Sequence, residues 1–322
     1  MTVHVIATGG TIASHFDGIE WGEIAGAQLV EESGPHACAV VVHDVATGPS
    51  SNLTVDDMVR IVERVRQALA DGAVGVVVTH GTDTIELTAF VASLLLGADA
   101  TRRPVVFTGS MRVHSHTAPD GPRNLRDAIT VAASPAALGR EVLVCLEGVL
   151  HAAEHVTKVN AKSVDAFTSA PITAVGAVDG NRVGFHAPPV QRPAAVALAA
   201  DVPLLTCYPG IAPEEFTRVA DGRRAIVVEA FGDLNVPRQL WGPIHQAWSA
   251  GVLVVLTSRP FTTTTVNDGL SLLGAVGAGG LTPQKARLAT MAALGTFDDR
   301  DRAVAFLRQF SLTYDAHDRS TS

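Results

Sequence analysis

A threonine and an aspartate stand side by side in Thr79-His80-Gly81-Thr82-Asp83-Thr84, after the apolar run Val74 to Val77. That run has the character of a buried strand, Gly81 lets the backbone turn, and Ile85 to Leu96 reads as a helix. Hydroxyls and a carboxylate therefore fall at the carboxyl end of a strand and beside a helix N-terminus. Open α/β sheets bind ligands there, and helix N-termini favour anions. The N-terminus repeats the arrangement, with Val3 to Ala7 followed by Thr8-Gly9-Gly10-Thr11-Ile12. Alone, the glycine pair reads as a tight turn, since neither GxGxxG spacing nor a P-loop lysine accompanies it. Taken with the second strand end, it points to one site built around hydroxyl nucleophiles. A threonine hydroxyl needs a base. A lysine can be that base where burial disfavours its charged form. The chain has three lysines, Lys158, Lys162 and Lys285. Lys158 lies in Val156-Thr157-Lys158-Val159-Asn160, which makes it the candidate.

The scaffold that must hold these groups is written in alternating strand and helix patterns. Ala37 to Val45 reads as a second strand. Thr54 caps a helix running to about Asp71, with Asp57 at the capping-box position and Gly72 as the stop. Strands follow at Val74–Val78, Val105–Thr108 and Val142–Cys145, with helices at Ile85–Leu96 and Asn124–Ala133. This alternation predicts a mainly parallel sheet covered on both faces. Ala187 to Pro203 is rich in Pro and Ala and reads as a linker. The pattern then restarts, with strands at Leu204–Tyr208, Ala225–Glu229 and Val252–Thr257 and helices at Pro237–Ala250 and Pro283–Leu294. The expected fold is α/β: a larger N-terminal domain over 1–190, a linker over 191–203, and a smaller C-terminal α/β domain over 204–322. The polar tail from Asp315 is expected to fray.

Composition excludes several classes. The chain is 322 residues long, 47% hydrophobic and 17% charged, so it can bury a large core. A net charge of −8 without a basic tract argues against nucleic acid and anionic membranes. No apolar stretch approaches the roughly 20 residues of a membrane span, and the start lacks a basic leader region. A soluble, cytoplasmic protein is expected. Cys38, Cys145 and Cys207 lie far apart and read as reduced, buried thiols. His151-Ala152-Ala153-Glu154-His155 matches the H-x-x-E-H zinc pattern, but β-favouring residues surround it, and the motif works only on a helix. It reads as a chance match. His114 and His116 read as a solvated loop. Gly274 to Gly280 lacks the lysine of a phosphate loop, and there is no G-x-S-x-G elbow. No metal and no cofactor are expected.

Six stretches in order along the chain resemble the bacterial-type L-asparaginase family, which includes asparaginase/glutaminases. They are Ala7 to Ala13, Thr79 to Thr84, Thr108-Gly109-Ser110-Met111-Arg112, Asp120 to Leu125, Val156-Thr157-Lys158 with Asp165-Ala166-Phe167, and Leu281 to Arg287. The resemblance implies a two-domain α/β fold, assembly as a homodimer or homotetramer, and sites at the intimate subunit contact. It implies hydrolysis of L-asparagine, with L-glutamine as the second candidate substrate, to the acid and ammonia through an acyl-enzyme. By the same resemblance Thr11 is the nucleophile, Thr82 the second catalytic threonine, Lys158 its base, and Asp83 the carboxylate for the substrate α-ammonium. Ser50 and Ser51, in Gly48-Pro49-Ser50-Ser51-Asn52, would grip the α-carboxylate and amino group. Ser110 falls where a backbone contact to the amide is expected, and Asn235 where an asparagine reaches in from a neighbouring subunit.

The chain departs from the family pattern in two places. The family's lid tyrosine is missing: Tyr208 and Tyr314 are the two tyrosines, and Ser14–Ala27 offers His15, Phe16 and Trp21 instead. Phe261 to Gly274 holds Asn267 and Asp268 but not the glutamate that many members bring across the subunit contact. The resemblance then implies a functional asparaginase with a high KM and little glutaminase activity. Two other readings are an amino-acid binding protein without activity and the amidase subunit of a tRNA amidotransferase. The latter carries an extra domain before its first motif, which here starts at Thr8.

Overall fold

The computed structural model describes residues 1–45, 48–170, 172–192, 194–260 and 269–311. It divides into two compact units, Met1–Ala194 and Ala195–Ser322.

The strands of the first unit are β1 (Thr2–Ala7), β2 (Ser14–Phe16), β3 (Trp21–Glu23), β4 (Ala39–Asp44), β5 (Gly75–Thr79), β6 (Val105–Thr108), β7 (Leu143–Leu146), β8 (Val149–Ala152), β9 (Thr157–Lys158), β10 (Phe167–Thr168), β11 (Gly176–Asp179) and β12 (Arg182–Phe185). Its helices are α1 (Gly26–Glu32), α2 (Val55–Ala70), α3 (Ile85–Leu96), α4 (Ala98–Arg102) and α5 (Gly121–Ala133). One eight-stranded sheet runs in the order β12-β11-β8-β7-β6-β5-β1-β4. Strands β4 to β7 of this order, with β1 among them, are parallel neighbours. Beyond β7, strands β8, β11 and β12 pair antiparallel. Every residue of β5 and β6 is buried, as in a parallel sheet with both faces covered. Leu125, Ala128 and Ile129 of α5 pack on Val3, Val5, Val77 and Val106.

The chain leaves β1 for β4 on one side, then crosses to β5 on the other. The crevice between the carboxyl ends of β1 and β5 is therefore the topological switch point, where open sheets bind ligands. The capping box forms as expected: Thr54 N donates to Asp57 Oδ2 at 2.9 Å, and Asp57 N donates to Thr54 Oγ1 at 3.2 Å. Residues 187–192 are tied to this unit rather than free, since Arg140 Nη1 donates to Ala187 O at 2.6 Å and Arg192 Nε to Glu154 Oε2 at 3.0 Å.

The second unit holds a four-stranded parallel sheet, β13 (Leu204–Thr206), β14 (Ala225–Ala230), β15 (Leu253–Ser258) and β16 (Val276–Gly277). Its helices are α6 (Pro213–Ala220), α7 (Trp241–Ser249), α8 (Gly269–Leu273), α9 (Pro283–Thr296) and α10 (Arg300–Ser311). The helix expected over Pro237–Ala250 begins four residues later. Pro237 is extended (ψ 137°) and a single 3₁₀ turn over Arg238–Leu240 intervenes. Thr282 caps α9 ahead of Pro283, accepting from Lys285 N at 3.4 Å. The Gly274–Gly280 cluster contains β16, a buried strand and not a phosphate loop. Among the described residues no helix is long and apolar enough to cross a membrane.

Candidate active site

Both motif turns open onto the switch point and touch backbone to backbone. Thr8 lies against the end of β5, its N and Oγ1 donating to Thr79 O at 3.3 and 2.8 Å. Gly10 has φ +86°, and a Cβ on it would stand 2.6 Å from Gly81 Cα. A Cβ on Gly81 would in turn stand 2.5 Å from Ser50 Oγ. Glycine at both positions is what lets the Thr8–Thr11 turn, the His80–Thr82 turn and Ser50 stack without a gap. Thr84 Oγ1 fastens the Ser50 segment by donating to Ser50 O at 2.9 Å.

Thr82, Asp83 and Lys158 come together across 75 and 76 residues of sequence. Lys158 Nζ donates to Thr82 Oγ1 at 3.0 Å and to Asp83 Oδ1 at 2.8 Å. Thr82 is buried, while the Asp83 side chain is 64% exposed and the Lys158 side chain 18%. The lysine thus bridges a buried hydroxyl to a carboxylate that faces solvent. Ser50 is buried and Ser51 exposed in the same 3₁₀ turn. Ser110 is buried, its Oγ donating to Arg112 O at 2.7 Å. Thr11 is half-buried in the first turn.

Several contributors are given no role by the sequence pattern. Asp120 accepts from Met111 N and Arg112 N at 2.8 and 2.9 Å, and Asn124 Nδ2 donates to Gly109 O at 3.0 Å, so the start of α5 holds the Gly109–Arg112 loop. His80 donates from Nδ1 to Gly81 O at 2.8 Å, and burial pushes its pKa down to about 4. Glu86 accepts from both residues of β9, Thr157 Oγ1 at 3.2 Å and Lys158 N at 2.5 Å. The one hint of it in the sequence is a carboxylate inside a helix otherwise made of apolar and small residues.

The Ser14–Ala27 segment begins with a hairpin. Strands β2 and β3 pair antiparallel around an Asp17 turn, with the exposed rings of Phe16 and Trp21 in tilted contact, 5.2 Å between centroids. Glu23 of this hairpin brings its carboxylate within 3.4 Å of where a Cβ on Gly9 would be. The expectation of a solvated loop fails for His114. Its ring lies 5.7 Å from that of His15 and pairs with Glu32, because the hairpin packs over it. His151 sits on β8 with Nδ1 at 2.8 Å from Ser169 Oγ, while Glu154 pairs with Arg192. The zinc-like pattern therefore does not lie on one helix face. Among the described residues no group of three or more His, Cys, Asp or Glu is arranged to hold a metal.

Asn235 belongs to the second unit. It follows a 3₁₀ turn over Gly232–Leu234, is exposed, and donates from Nδ2 to Gly232 O at 2.7 Å. It borders an open groove of about 620 Å³ lined also by Trp241, His245 and Leu273. Asn267, Asp268 and Tyr314 lie outside the described residues.

Comparison with known proteins bears on both units. Residues 2–191 match the model of the asparaginase N-terminal domain, and residues 201–307 that of the glutaminase/asparaginase C-terminal domain. The chain belongs to the asparaginase family. A probable L-asparaginase of Deinococcus radiodurans is 37% identical, over 73% of this chain and 73% of the relative. Among solved structures, the thermostable L-asparaginase from Thermococcus kodakarensis superposes with a TM-score of 0.85 at 26% identity, covering 96% of this chain and 97% of that one. A probable cytoplasmic L-asparaginase from Campylobacter jejuni gives 0.84 at 26% identity, over 95% and 98%. The asparaginase α/β architecture thus spans both units of this family member.

Proposed function

We infer that this chain is an L-asparaginase, hydrolysing L-asparagine to L-aspartate and ammonia. The observation that carries the reading is Lys158 Nζ held between Thr82 Oγ1 and Asp83 Oδ1, at 3.0 and 2.8 Å, at the switch point of an asparaginase-family sheet. The matched relatives named above are asparaginases, which favours neither the amidotransferase subunit nor the binding protein without activity.

Thr11 Oγ attacks the side-chain carboxamide carbon, ammonia leaves with the transferred proton, and a β-aspartyl ester on Thr11 remains. Thr82 and Lys158 then activate the water that hydrolyses the ester and regenerates the hydroxyl. Backbone amides at the Gly10–Thr11 and Gly81–Thr82 turns are the candidates for stabilising the oxyanion. The exposed carboxylate of Asp83 receives the substrate α-ammonium, competing with Lys158 for it, and the second positive charge there favours release of the lysine's proton. Ser50 and Ser51 receive the α-carboxylate and amino group, and Ser110 borders the amide. Asn235 completes the site from a second copy of the chain, so the active form is a homodimer or homotetramer. A cytoplasmic location, the one named for the Campylobacter jejuni neighbour, goes with this reading.

Ammonia release from L-asparagine and from L-glutamine tests the reading, with Thr11→Ala beside the wild type. The wild type should turn over asparagine. Thr11→Ala should lose at least about a thousandfold in kcat while still binding aspartate. A wild type that binds asparagine without releasing ammonia would reduce the chain to a binding protein.

A further inference from the structure

Lys158 can reach Thr82 only if the strand that carries it is held in place. That strand, β9, is two residues long and has one strand neighbour, β10. Glu86 fastens its backbone as well. This carboxylate is 9% exposed, and both of its oxygens are used by β9: Oε2 accepts from Lys158 N and Oε1 from Thr157 Oγ1. Glu86 is the second residue of α3, which begins directly after Thr82-Asp83-Thr84. One buried side chain therefore references the lysine's backbone to the helix that grows out of the threonine–aspartate turn.

We propose that Glu86 is a positioning residue for amide hydrolysis, setting where Lys158 Nζ stands relative to Thr82 and Asp83. The proposal rests on the roles assigned to those residues above. A carboxylate suits the task because it is acceptor-only: its two oxygens take the two donors, whereas an apolar side chain would leave the Lys158 N–H without an acceptor. Bonds to an ionised acceptor are also the shorter and stronger kind. The first turn of α3 offsets part of the cost of burying the charge. If β9 merely had to be covered, an apolar side chain would do, as at the buried neighbours Ile85, Ala89 and Phe90. Glu86 itself touches neither Thr82 nor Asp83 by hydrogen bond, so its effect must pass through Lys158.

A double-mutant cycle on the full-length enzyme tests this. Ammonia release from asparagine, and hydroxylamine release from the more reactive aspartic β-hydroxamate, are measured for wild type, Glu86→Leu, Lys158→Met and the double variant. Glu86→Leu, which removes both acceptors, should lower kcat at least about tenfold, because a small misplacement of a catalytic group is costly. KM should change less than about threefold, since Asp83 and Ser50 are untouched. On the Lys158→Met background the same substitution should cost less than about twofold, because coupled residues are not additive. Thr157→Val, which removes one of the two bonds, should give a smaller loss that also vanishes with Lys158→Met. It carries the cycle if Glu86→Leu does not fold. An equal loss on both backgrounds would make Glu86 a general structural residue and overturn the proposal, as would a wild-type kcat in Glu86→Leu. An inactive wild type would instead overturn the asparaginase reading, and the proposal with it.

Discussion

Gly10→Ala measures how closely the two motif turns must pack. A Cβ at Gly10 would stand 2.6 Å from Gly81 Cα and 2.7 Å from Gly81 N. Ordinary carbon contacts lie at about 3.5–4.0 Å, so the turns must part by roughly 1 Å. Gly81 cannot simply retreat, because Ser50 stands behind it: a Cβ on Gly81 would lie 2.5 Å from Ser50 Oγ. Overpacking of this kind costs about 1–3 kcal/mol, and the left-handed backbone at φ +86° adds about 1–2 kcal/mol for any residue with a Cβ. The variant should therefore lose about 2–5 kcal/mol of stability. Parting the turns also moves Thr11 from Thr82, and a 1 Å misplacement costs on the order of a hundredfold in rate. Gly222→Ala is the control, since it has φ +66° but nothing within 4 Å of its Cβ. It should show the backbone cost of about 1–2 kcal/mol alone and keep its kcat/KM. Denaturant unfolding and steady-state ammonia release read the two effects separately. If Gly10→Ala keeps kcat/KM within about threefold of wild type, or is no less stable than Gly222→Ala, the turn-to-turn contact does not set the geometry of the site.

Lys158→Arg should retain less than about a tenth of kcat, because arginine stays protonated and its planar fork cannot take the place of Nζ; a larger residual rate would remove Lys158 as the base. Asp83→Asn should raise KM for asparagine by about ten- to a hundredfold, the worth of one hydrogen bond between charged groups, and a KM unchanged from wild type would show that the α-ammonium binds elsewhere. Burial pushes His80 from 6.5 down to about 4, so between these values the unfolded chain takes up a proton that the folded chain refuses. Stability should therefore fall as pH drops through that window, by up to about 3 kcal/mol, and His80→Gln should flatten the slope; equal pH dependence in the two proteins would contradict the buried, neutral imidazole. Light scattering at assay concentration should show no active monomer, since the proposed role of Asn235 requires a second copy, and a fully active monomer would remove that role.

Local pattern made several elements legible. Continuous valine runs announced β5 and β6, because strands buried on both faces have no polar side to show. Thr54 with Asp57, and Thr282 with Pro283, marked helix entries because a cap is a bond between residues three apart. The threonines, glycines and aspartate of the two turns were visible as strand-end residues, since a strand-to-helix change of periodicity lies within a few residues. The sequence could not say that β4 lies on the far side of β1 from β5, and it is this order that turns two separate strand ends into one crevice. Nor did it announce β8, β11, β12 or the β2–β3 hairpin, which are short and take their partners from packing rather than propensity. His114 reads as solvated in sequence because the hairpin that covers it is a tertiary neighbour. Glu86 is the clearest case: alone it is one carboxylate in a helix, and it acquires meaning only where Thr157 and Lys158, 71 and 72 residues away, bring their donors to it. Periodicity and caps are short-range and survive in one dimension. Contacts across such distances are decided by which surfaces can be buried together, and only the folded chain settles that.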